Sequence, residues 1–300
     1  MTHRLSGLTR FGSLGVPSPF RLFRSHGTLA LPHRLRVLNV PHMSWARHLG
    51  HVEQVAAELE TTGLLKIRLG FPDVSSDYLK QLLLGLHKHH YHHLPITHSA
   101  TRGWFWDVRP KATSVAGAHQ ARSETMSEFS WHTDCSYEDP LPRYFALQVL
   151  QHDRYGGGTL SAMNVDKLME NLPTEARETL MAPEFRIQIP PEFIKDPMKT
   201  YITGSILASV GSSVMIRYRG DIVTPQTARA AKALGKLEAM LARNDLAAHS
   251  TIRFGASDLP KGSIILMDNR RWLHARNGIR DPERHLRRVR WDARPFDRTE

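Results

Sequence analysis

The sequence predicts a mainly β fold of the jelly-roll type with helices on its outside. Residues 143–150 and 159–165 are rich in β-branched and aromatic side chains, which is typical of half-buried strands. Glycine and proline turns separate short strands of this kind, and that pattern favours a jelly-roll sandwich. A length of 300 residues is ample for one sizeable core. We therefore expect a single β domain with flanking helices.

The first fifty residues differ in composition from the rest of the chain. The first acidic residue is Glu53, and the arginines that precede it are Arg4, Arg10, Arg21, Arg24, Arg34, Arg36 and Arg47. A leader rich in arginine and free of acidic residues is typical of a mitochondrial or plastid transit peptide. We expect residues 1–48 to form a mitochondrial transit peptide and residues 49–300 to form the folded domain. The alternatives are a disordered arm on a cytoplasmic protein or an incorrectly assigned start.

Charge, hydropathy and cysteine content narrow the range of partners. Removing the seven leader arginines from the formal net charge of +11 leaves +4, which does not indicate a nucleic-acid interface. No stretch is long and apolar enough to cross a membrane. The single cysteine, Cys135, excludes an intrachain disulfide, and we expect a small buried thiol there. We therefore expect neither nucleic acid nor membrane as a partner, and the oligomeric state stays open.

The spacing of apolar residues predicts the elements around the β domain. It favours a strand over 63–69 and helices over 52–59, 78–86, 174–181 and 225–246. Pro225 suits the first position of the last helix. Histidines crowd the run 87–93, but adjacent histidines point around the whole circumference of a helix. We therefore expect a solvated helix end there rather than a metal site.

His132 and Asp134 form one half of a candidate metal site. Side chains alternate between faces in an extended segment, so these two project to the same side and Thr133 turns away. An imidazole and a carboxylate can supply two corners of the 2-His-1-carboxylate triad that holds non-haem Fe(II). The pair alone is common in unrelated chains, and an ordinary strand or turn is the alternative.

A downstream stretch supplies further elements in a consistent order. His274 ends the run Asp-Asn-Arg-Arg-Trp-Leu-His, and Arg284 begins the run Arg-His-Leu-Arg-Arg. Together with His132-Thr-Asp134 and with Thr159 after three glycines, these motifs resemble the taurine/2,4-dichlorophenoxyacetate dioxygenase family. They resemble its clavaminate-synthase-like and γ-butyrobetaine-hydroxylase-like branches more loosely. The resemblance implies that residues 49–300 form a double-stranded β-helix, a cupin-like barrel, and act as an Fe(II)- and 2-oxoglutarate-dependent dioxygenase.

The resemblance also implies a role for each matching residue. The implied iron ligands are His132, Asp134 and His274. Thr159 and Arg284 would bind 2-oxoglutarate, and O2 would be the second co-substrate. A guanidinium suits the distal carboxylate of 2-oxoglutarate because its planar fork of donors matches two oxygens. Arg284 lies one residue closer to the distal histidine than the family spacing, so Arg287 and Arg288 compete for this role.

The candidate substrate-contacting residues are chosen by their position in the sequence. In the resembled family the segment before the His-x-Asp strand contacts substrate, which points to Trp104 and Trp106, and Trp131 is a further candidate. Arg288 shares the inward face of the last strand with Arg284, so it could bind the co-substrate or an anionic group of the primary substrate. For residues 217–219 a position in the pocket and a position on the surface both stay open.

The expected reaction is hydroxylation or desaturation of a small organic molecule. Asp134 occupies the position at which halogenating relatives carry the small residue that opens a chloride site. A protein or peptide hydroxylase is one alternative, and a catalytically silent jelly-roll binding module is another. The identity of the substrate does not follow from the sequence.

Overall fold

The computed structural model describes residues 35–97, 103–111, 120–211, 213–243 and 251–296. Its strands are β1 (Arg36–Val40), β2 (Leu64–Leu69), β3 (Trp106–Val108), β4 (Phe129–His132), β5 (Leu141–Gln151), β6 (Leu160–Asn164), β7 (Phe185–Gln188), β8 (Tyr201–Gly204), β9 (Leu207–Val210), β10 (Ser213–Ile216), β11 (Val223–Pro225), β12 (Thr251–Phe254), β13 (Ser263–Asp268), β14 (Trp272–Arg276) and β15 (His285–Arg294). Its α-helices are α1 (Leu49–Thr61), α2 (Asp77–His90), α3 (Val165–Met169), α4 (Thr174–Leu180) and α5 (Ala228–Leu241). Short 3-10 helices lie at Met43–Arg47, Arg122–Glu124, Pro191–Phe193 and Gly220–Ile222.

Two sheets form the body of the fold. The larger sheet has the strand order β1-β2-β13-β5-β15-β3, and the smaller one has the order β12-β6-β14-β4. Phe145, Leu147 and Ile265 of the larger sheet pack in one buried cluster with Leu160 and Trp272 of the smaller sheet. The two sheets therefore enclose a common core, which confirms the predicted jelly roll, a double-stranded β-helix.

Helices cover the outer faces of both sheets, as predicted. Helices α1 and α2 place Val55 and Leu82 in a cluster with Trp291 of β15. Helices α3 to α5 lie between β4 and β14 in sequence. Leu237 of α5 shares a cluster with Leu273 of β14. In the parts of the chain that the structure covers, none of the helices is long and apolar enough to cross a membrane.

Helix α5 begins later than predicted. Pro225 is the last residue of β11, where it lies opposite Phe185 of β7. A proline is tolerated at such a position because an edge strand has no partner for the missing N–H. The N-cap is Thr227 instead, whose hydroxyl accepts the N–H of Ala230 at 3.1 Å. The predicted helical residues 244–246 lie outside the described residues.

The histidine run ends helix α2, as expected, with one exception. His87, Lys88 and His89 are exposed at the end of the helix. His92 is instead buried, stacks on Tyr144 at 5.1 Å between ring centroids and accepts the Trp291 Nε1–H at 3.0 Å. Burial lowers the pKa of His92 to about 4. This histidine is therefore a neutral member of the core and not a metal ligand.

The folded part of the chain begins before residue 49. Strand β1 lies within the segment assigned to the leader, and it pairs in parallel with β2 from Arg36 opposite Leu65 to Val40 opposite Leu69. Leu38 and Val40 are buried in the cluster beneath α1 and α2. Residues 35–48 therefore belong to the domain. Residues 1–34 of the predicted leader lie outside the described residues, and their targeting role stays a prediction.

A truncation tests this boundary. We expect a chain that starts at Leu49 to be several kcal/mol less stable than one that starts at Leu35. Each fully buried leucine or valine contributes about 1.5–3 kcal/mol, and deletion of β1 removes Leu38 and Val40 from the core. Urea unfolding of both chains measures the difference. Equal midpoints and equal slopes would show that β1 is dispensable.

Candidate metal centre

The two predicted histidine ligands face each other across neighbouring strands. His132 ends β4, and His274 lies directly opposite it in β14. Residues opposite each other in an antiparallel pair bring their side chains close together. The two imidazole rings lie 4.1 Å apart between centroids. Strand register therefore explains why histidines so far apart in sequence meet in the fold.

Asp134 is held by a turn rather than by the strand itself. Beyond the end of β4, the Thr133 N–H still donates to the Tyr218 carbonyl at 2.7 Å. The backbone then turns at Cys135, whose φ is 55°. The Asn269 side chain accepts the Asp134 N–H at 2.7 Å and donates to the Asp134 carbonyl at 2.8 Å. This pair of bonds fixes the backbone from which the carboxylate projects.

The ligand atoms of His132, Asp134 and His274 converge in a buried position. One such atom from each residue lies within 4.8 Å of the other two. His132 Nδ1 bonds the Ser130 carbonyl at 2.7 Å, which leaves Nε2 for a metal. Burial, followed by the neighbouring His274, holds the pKa of His132 well below its usual range. The His132 imidazole is therefore neutral, which is the ligating form.

The carboxylate of Asp134 is ionised and only partly engaged. Burial alone would raise the pKa of Asp134, but Arg288 and then His274 outweigh it and hold the pKa far below its usual range. Arg288 Nη1 donates to Asp134 Oδ1 at 3.0 Å. The other oxygen, Oδ2, is buried and has no hydrogen-bond partner among the described residues. A buried anionic oxygen without a partner is costly unless something binds it.

The donor set fits a divalent iron. Two imidazoles and one carboxylate on one side of a site leave coordination positions open on the other side. The unpartnered Asp134 oxygen supplies the acceptor that such an ion needs. Within the residues that the structure describes, this is the one group of three or more ligating side chains close enough to hold a metal. The predicted triad therefore occurs as an assembled site.

Asn269 was not predicted, although it lies in the run that ends at His274. We expect Asn269→Ala to weaken metal binding by about 10–100-fold, which is typical for loss of a partner that orients a ligand. The cause is loss of both bonds to the Asp134 backbone. Titration of the protein with Fe(II) or Mn(II) measures the change. Asn164→Ala is the control, because Asn164 also accepts a backbone N–H but caps α3, and an equal loss in both variants would contradict the role.

A cavity adjoins the ligands and is lined by residues from several loops. The lining includes Tyr137 and Phe193 as well as Arg122, Arg219 and Arg288. Tyr137 and Phe193 stack at 5.3 Å between ring centroids. Arg219 lies 5.2 Å above the ring of Phe129, which stacks on His132. For residues 217–219, the structure thus places Arg219 in the cavity lining and buries Arg217 elsewhere, against Phe296.

Arg284 is buried among apolar residues. It lines a narrow space between the sheets with Leu147, Leu160 and Leu286. Its Nη2 donates to the Gly158 carbonyl at 3.4 Å, and its Nη1 is buried without a partner among the described residues. Burial and the nearby Arg276 lower the pKa of Arg284 to about 10. The guanidinium is therefore charged at neutral pH and lacks a full set of acceptors, as a carboxylate-binding arginine would before its ligand arrives.

Strand alternation separates Arg287 from the other competing arginines. Leu286 of β15 faces the core between the sheets, so Arg288 and Arg290 on the same face point inward and both are buried. Arg287 points outward, where it donates to Asp107 at 2.8 Å and to the Val74 carbonyl at 2.8 Å. Arg287 is thus removed as a candidate for 2-oxoglutarate.

Thr159 immediately precedes β6, far from Arg284 in sequence. The Thr159 N–H donates to Asn277 Oδ1 at 2.6 Å, which joins its backbone to the segment that precedes Arg284. A role for the Thr159 hydroxyl in binding 2-oxoglutarate stays a prediction.

The three candidate tryptophans occupy three different places. Trp104 packs against the cluster beneath α1 and α2, and Trp131 packs against the cluster around α3 to α5. Neither lines the cavity that contains His132 and Asp134. Trp131 does not line this cavity because it is adjacent to His132 in β4, so its side chain points to the opposite face of the sheet. Trp106 lies 6.2 Å from Phe193 between ring centroids and so adjoins the cavity.

Comparisons with solved structures give the fold a precedent. The chain is similar to an asparagine oxygenase in complex with Fe(II), 2S,3S-3-hydroxyasparagine and succinate, with 20% identity, a TM-score of 0.65 and coverage of 83% of this chain and 82% of that chain. It is also similar to the non-heme iron oxygenase OrfP in complex with Fe and alpha-ketoglutaric acid, with 16% identity, a TM-score of 0.60 and coverage of 87% and 94%.

A third structure, OrfP in complex with Fe, succinate and (3S)-hydroxy-L-Arg, is similar at 18% identity and a TM-score of 0.56, with coverage of 83% and 84%. No protein-family model matches the chain, and no curated protein matches it. At these identities the likeness concerns the fold alone. The chain therefore has the double-stranded β-helix fold that these non-heme iron oxygenases also adopt.

Proposed function

We propose that this protein is an Fe(II)- and 2-oxoglutarate-dependent dioxygenase of the taurine/2,4-dichlorophenoxyacetate dioxygenase-like group. The observation that carries the proposal is the buried convergence of His132, Asp134 and His274, whose ligand atoms lie within 4.8 Å of one another. The partly unpartnered Arg284 within the same barrel supports a dicarboxylic co-substrate. The similar oxygenase structures contain iron together with alpha-ketoglutaric acid or succinate, which agrees with this chemistry.

In this proposal each residue has a defined task. His132, Asp134 and His274 hold Fe(II). When bound, this ion would couple the decarboxylation of 2-oxoglutarate to the oxidation of a substrate C–H bond by O2. Arg284 binds the distal carboxylate through its planar fork of donors, and the apolar lining around it excludes water and strengthens that contact. Arg288 orients the Asp134 carboxylate through the bond of 3.0 Å to Oδ1.

The charge of the cavity supports a small organic anion as the primary substrate. Arg122, Arg219 and Arg288 line it, and its one lining carboxylate is the ligand Asp134. Asp221 lies outside this lining but neutralises Arg219 through two bonds of 2.8 and 2.9 Å. Arg288 is likewise paired with Asp134, although it lines the cavity. Arg122 is therefore the lining cation without a carboxylate partner among the described residues, and it is the first candidate to bind a carboxylate or sulfonate. The oxygenases of similar fold hold hydroxylated asparagine and arginine, which makes an amino acid the first candidate to test.

An anaerobic titration tests the proposal. Addition of 2-oxoglutarate to the Fe(II)-loaded protein should produce a visible metal-to-ligand charge-transfer band, and exposure to O2 with a substrate should yield succinate. Candidate small molecules and peptides that perturb the band bind beside the metal. Perturbation by peptides alone would favour a protein or peptide hydroxylase. A protein that binds metal but gives neither band nor succinate would be a silent binding module.

We also propose that the arginine-rich leader directs the protein to mitochondria. The support is its composition alone, since residues 1–34 contain five arginines and no acidic residue. A fluorescent protein fused to residues 1–34, which precede the described fold, should localise to mitochondria. A diffuse cytosolic signal would instead favour the cytoplasmic alternative.

A further inference from the structure

Two loops meet at the end of the barrel where Arg284 lies. The glycine loop, residues 153–159, joins β5 to β6, and the arginine loop, residues 277–284, joins β14 to β15. The Gly158 N–H donates to the Gly278 carbonyl at 2.9 Å. The Thr159 N–H donates to Asn277 Oδ1 at 2.6 Å. The Asn277 N–H donates in turn to the Thr159 carbonyl at 3.3 Å, so the two loops are bonded to each other where residues 158–159 meet residues 277–278.

Glycine is required where the loops approach most closely. A Cβ atom at Gly157 would lie 2.6 Å from the Arg280 nitrogen and 2.7 Å from the Gly278 oxygen. Gly158 has a φ of +64°, and a Cβ there would lie 2.6 Å from Arg284 Nε. The glycine loop thus forms one wall against the Arg284 side chain, and any movement of that wall moves the guanidinium.

Two buried carboxylates join the loops. Asp281 of the arginine loop accepts three bonds from Arg154 of the glycine loop, and Asp153 bonds the backbones of both loops. Asp153 Oδ1 accepts the N–H groups of Tyr155 at 2.9 Å and Gly157 at 3.1 Å, both in the glycine loop. Asp153 Oδ2 accepts the N–H groups of Arg280 at 2.8 Å and Asp281 at 3.1 Å, both in the arginine loop. Each oxygen serves a different loop, so the side chain acts as a bridge between them.

We propose that Asp153 is a positioning residue for 2-oxoglutarate: by bridging the glycine loop and the arginine loop it holds the Arg284 guanidinium where the distal carboxylate binds. The proposal rests on the proposed function and deepens it. Asp153 acts through Arg284, since none of its four bonds leads to the metal ligands. Its negative charge also favours the charged form of Arg284, whereas burial and Arg276 oppose that form.

Asp153→Asn tests the bridging bonds without changing the size of the side chain. Asp153→Asn keeps the size of the side chain and one acceptor oxygen, but it turns an amide NH2 toward N–H groups of one loop and removes the charge. We expect 2-oxoglutarate to bind the Mn(II)-loaded variant about tenfold more weakly than the wild type, as for the loss of other orienting partners. Calorimetric titration of 2-oxoglutarate measures this without turnover, and Mn(II) affinity should stay unchanged.

A matched control distinguishes positioning from general stability. Asp73 also accepts two backbone N–H groups, those of Asp77 at 2.9 Å and Tyr78 at 3.1 Å, at the start of α2. Asp73→Asn should lower the unfolding midpoint yet leave 2-oxoglutarate affinity unchanged. A double-mutant cycle adds a second readout, because Asp153→Asn should cause no further loss when Arg284 is already alanine.

The outcomes are separable. If the wild type itself fails to bind 2-oxoglutarate, the proposed function falls and this inference falls with it. If the wild type binds and Asp153→Asn binds equally well, or if its loss adds fully to that of Arg284→Ala, the positioning role alone is overturned. Should the asparagine variant fail to fold, Asp153→Glu keeps the charge while shifting the bridge, and the same comparison of affinities decides.

Discussion

Replacing His132, Asp134 or His274 by alanine should abolish iron-dependent succinate formation. The three ligand atoms lie within 4.8 Å of one another in a buried site, so each removal leaves only two protein ligands. Changing a partner that merely orients a ligand typically costs about 10–100-fold in metal affinity or activity, and loss of a ligand should exceed that. The measurements are Fe(II) content after dialysis and succinate yield per mole of protein.

A buried histidine outside the site provides the control for this prediction. His51 is buried in α1 and lies 2.6 Å from the Tyr78 hydroxyl through its Nε2. His51→Ala should reduce stability, because it leaves the tyrosine hydroxyl unpaired, but it should retain iron binding. Wild-type turnover and iron content in any of the three ligand variants would remove that residue from the ligand set.

The sequence predicted the group formed by His132, Asp134 and His274 because residue types that can bind a metal lie within two short motifs. The spacing in His132-Thr-Asp134 places two donors on one side of an extended segment, and the run that ends in His274 supplies the third. Their meeting depends on strand register between β4 and β14, which no local pattern encodes. Asn269 was missed for a related reason, because it acts by bonding the backbone of a residue far away in sequence.

Predictions that the structure corrects also failed because tertiary contacts and strand geometry are not visible in local sequence. Composition placed the domain boundary at residue 49, but β1 is held by pairing with β2 and by burial of Leu38 and Val40, and neither depends on acidic content. The substrate role of Trp131 stays a prediction: alternation along β4 turns it away from His132, but it lines a neighbouring cavity with Arg122 and Arg219. Alternation also removed Arg287, since the face of β15 that points inward is defined by Leu286.

Replacing Arg284 by alanine should raise the 2-oxoglutarate dissociation constant by about one and a half to three and a half decades, because loss of one partner of a buried charge pair typically costs about 2–5 kcal/mol. The effect should fall on 2-oxoglutarate and not on the metal, since Arg284 is bonded to the Gly158 carbonyl and not to a ligand. Arg284→Lys should be intermediate, because an ammonium keeps the charge but lacks the planar fork of donors.

Replacing Arg288 by alanine should give the opposite pattern. Arg288 Nη1 donates to Asp134 Oδ1 at 3.0 Å, and both residues are buried. Its removal leaves the ligand carboxylate without its orienting cation, so Fe(II) affinity should fall by about tenfold or more. Binding of an anionic primary substrate should weaken as well, while the 2-oxoglutarate midpoint measured at saturating Fe(II) should change little.

Titration of the charge-transfer band with 2-oxoglutarate at saturating Fe(II) compares the two arginines directly. The distal carboxylate of 2-oxoglutarate carries one negative charge. Arg284 and Arg288 lie in different surroundings, so we expect this carboxylate to pair with one of them. Arg284 lies among Leu147, Leu160 and Leu286, whereas Arg288 lies against a carboxylate that already neutralises it. A buried cation that is bonded to no carboxylate gains more from a new carboxylate than one already paired with a carboxylate. An unchanged midpoint in Arg284→Ala with a large shift in Arg288→Ala would therefore reverse the two assignments.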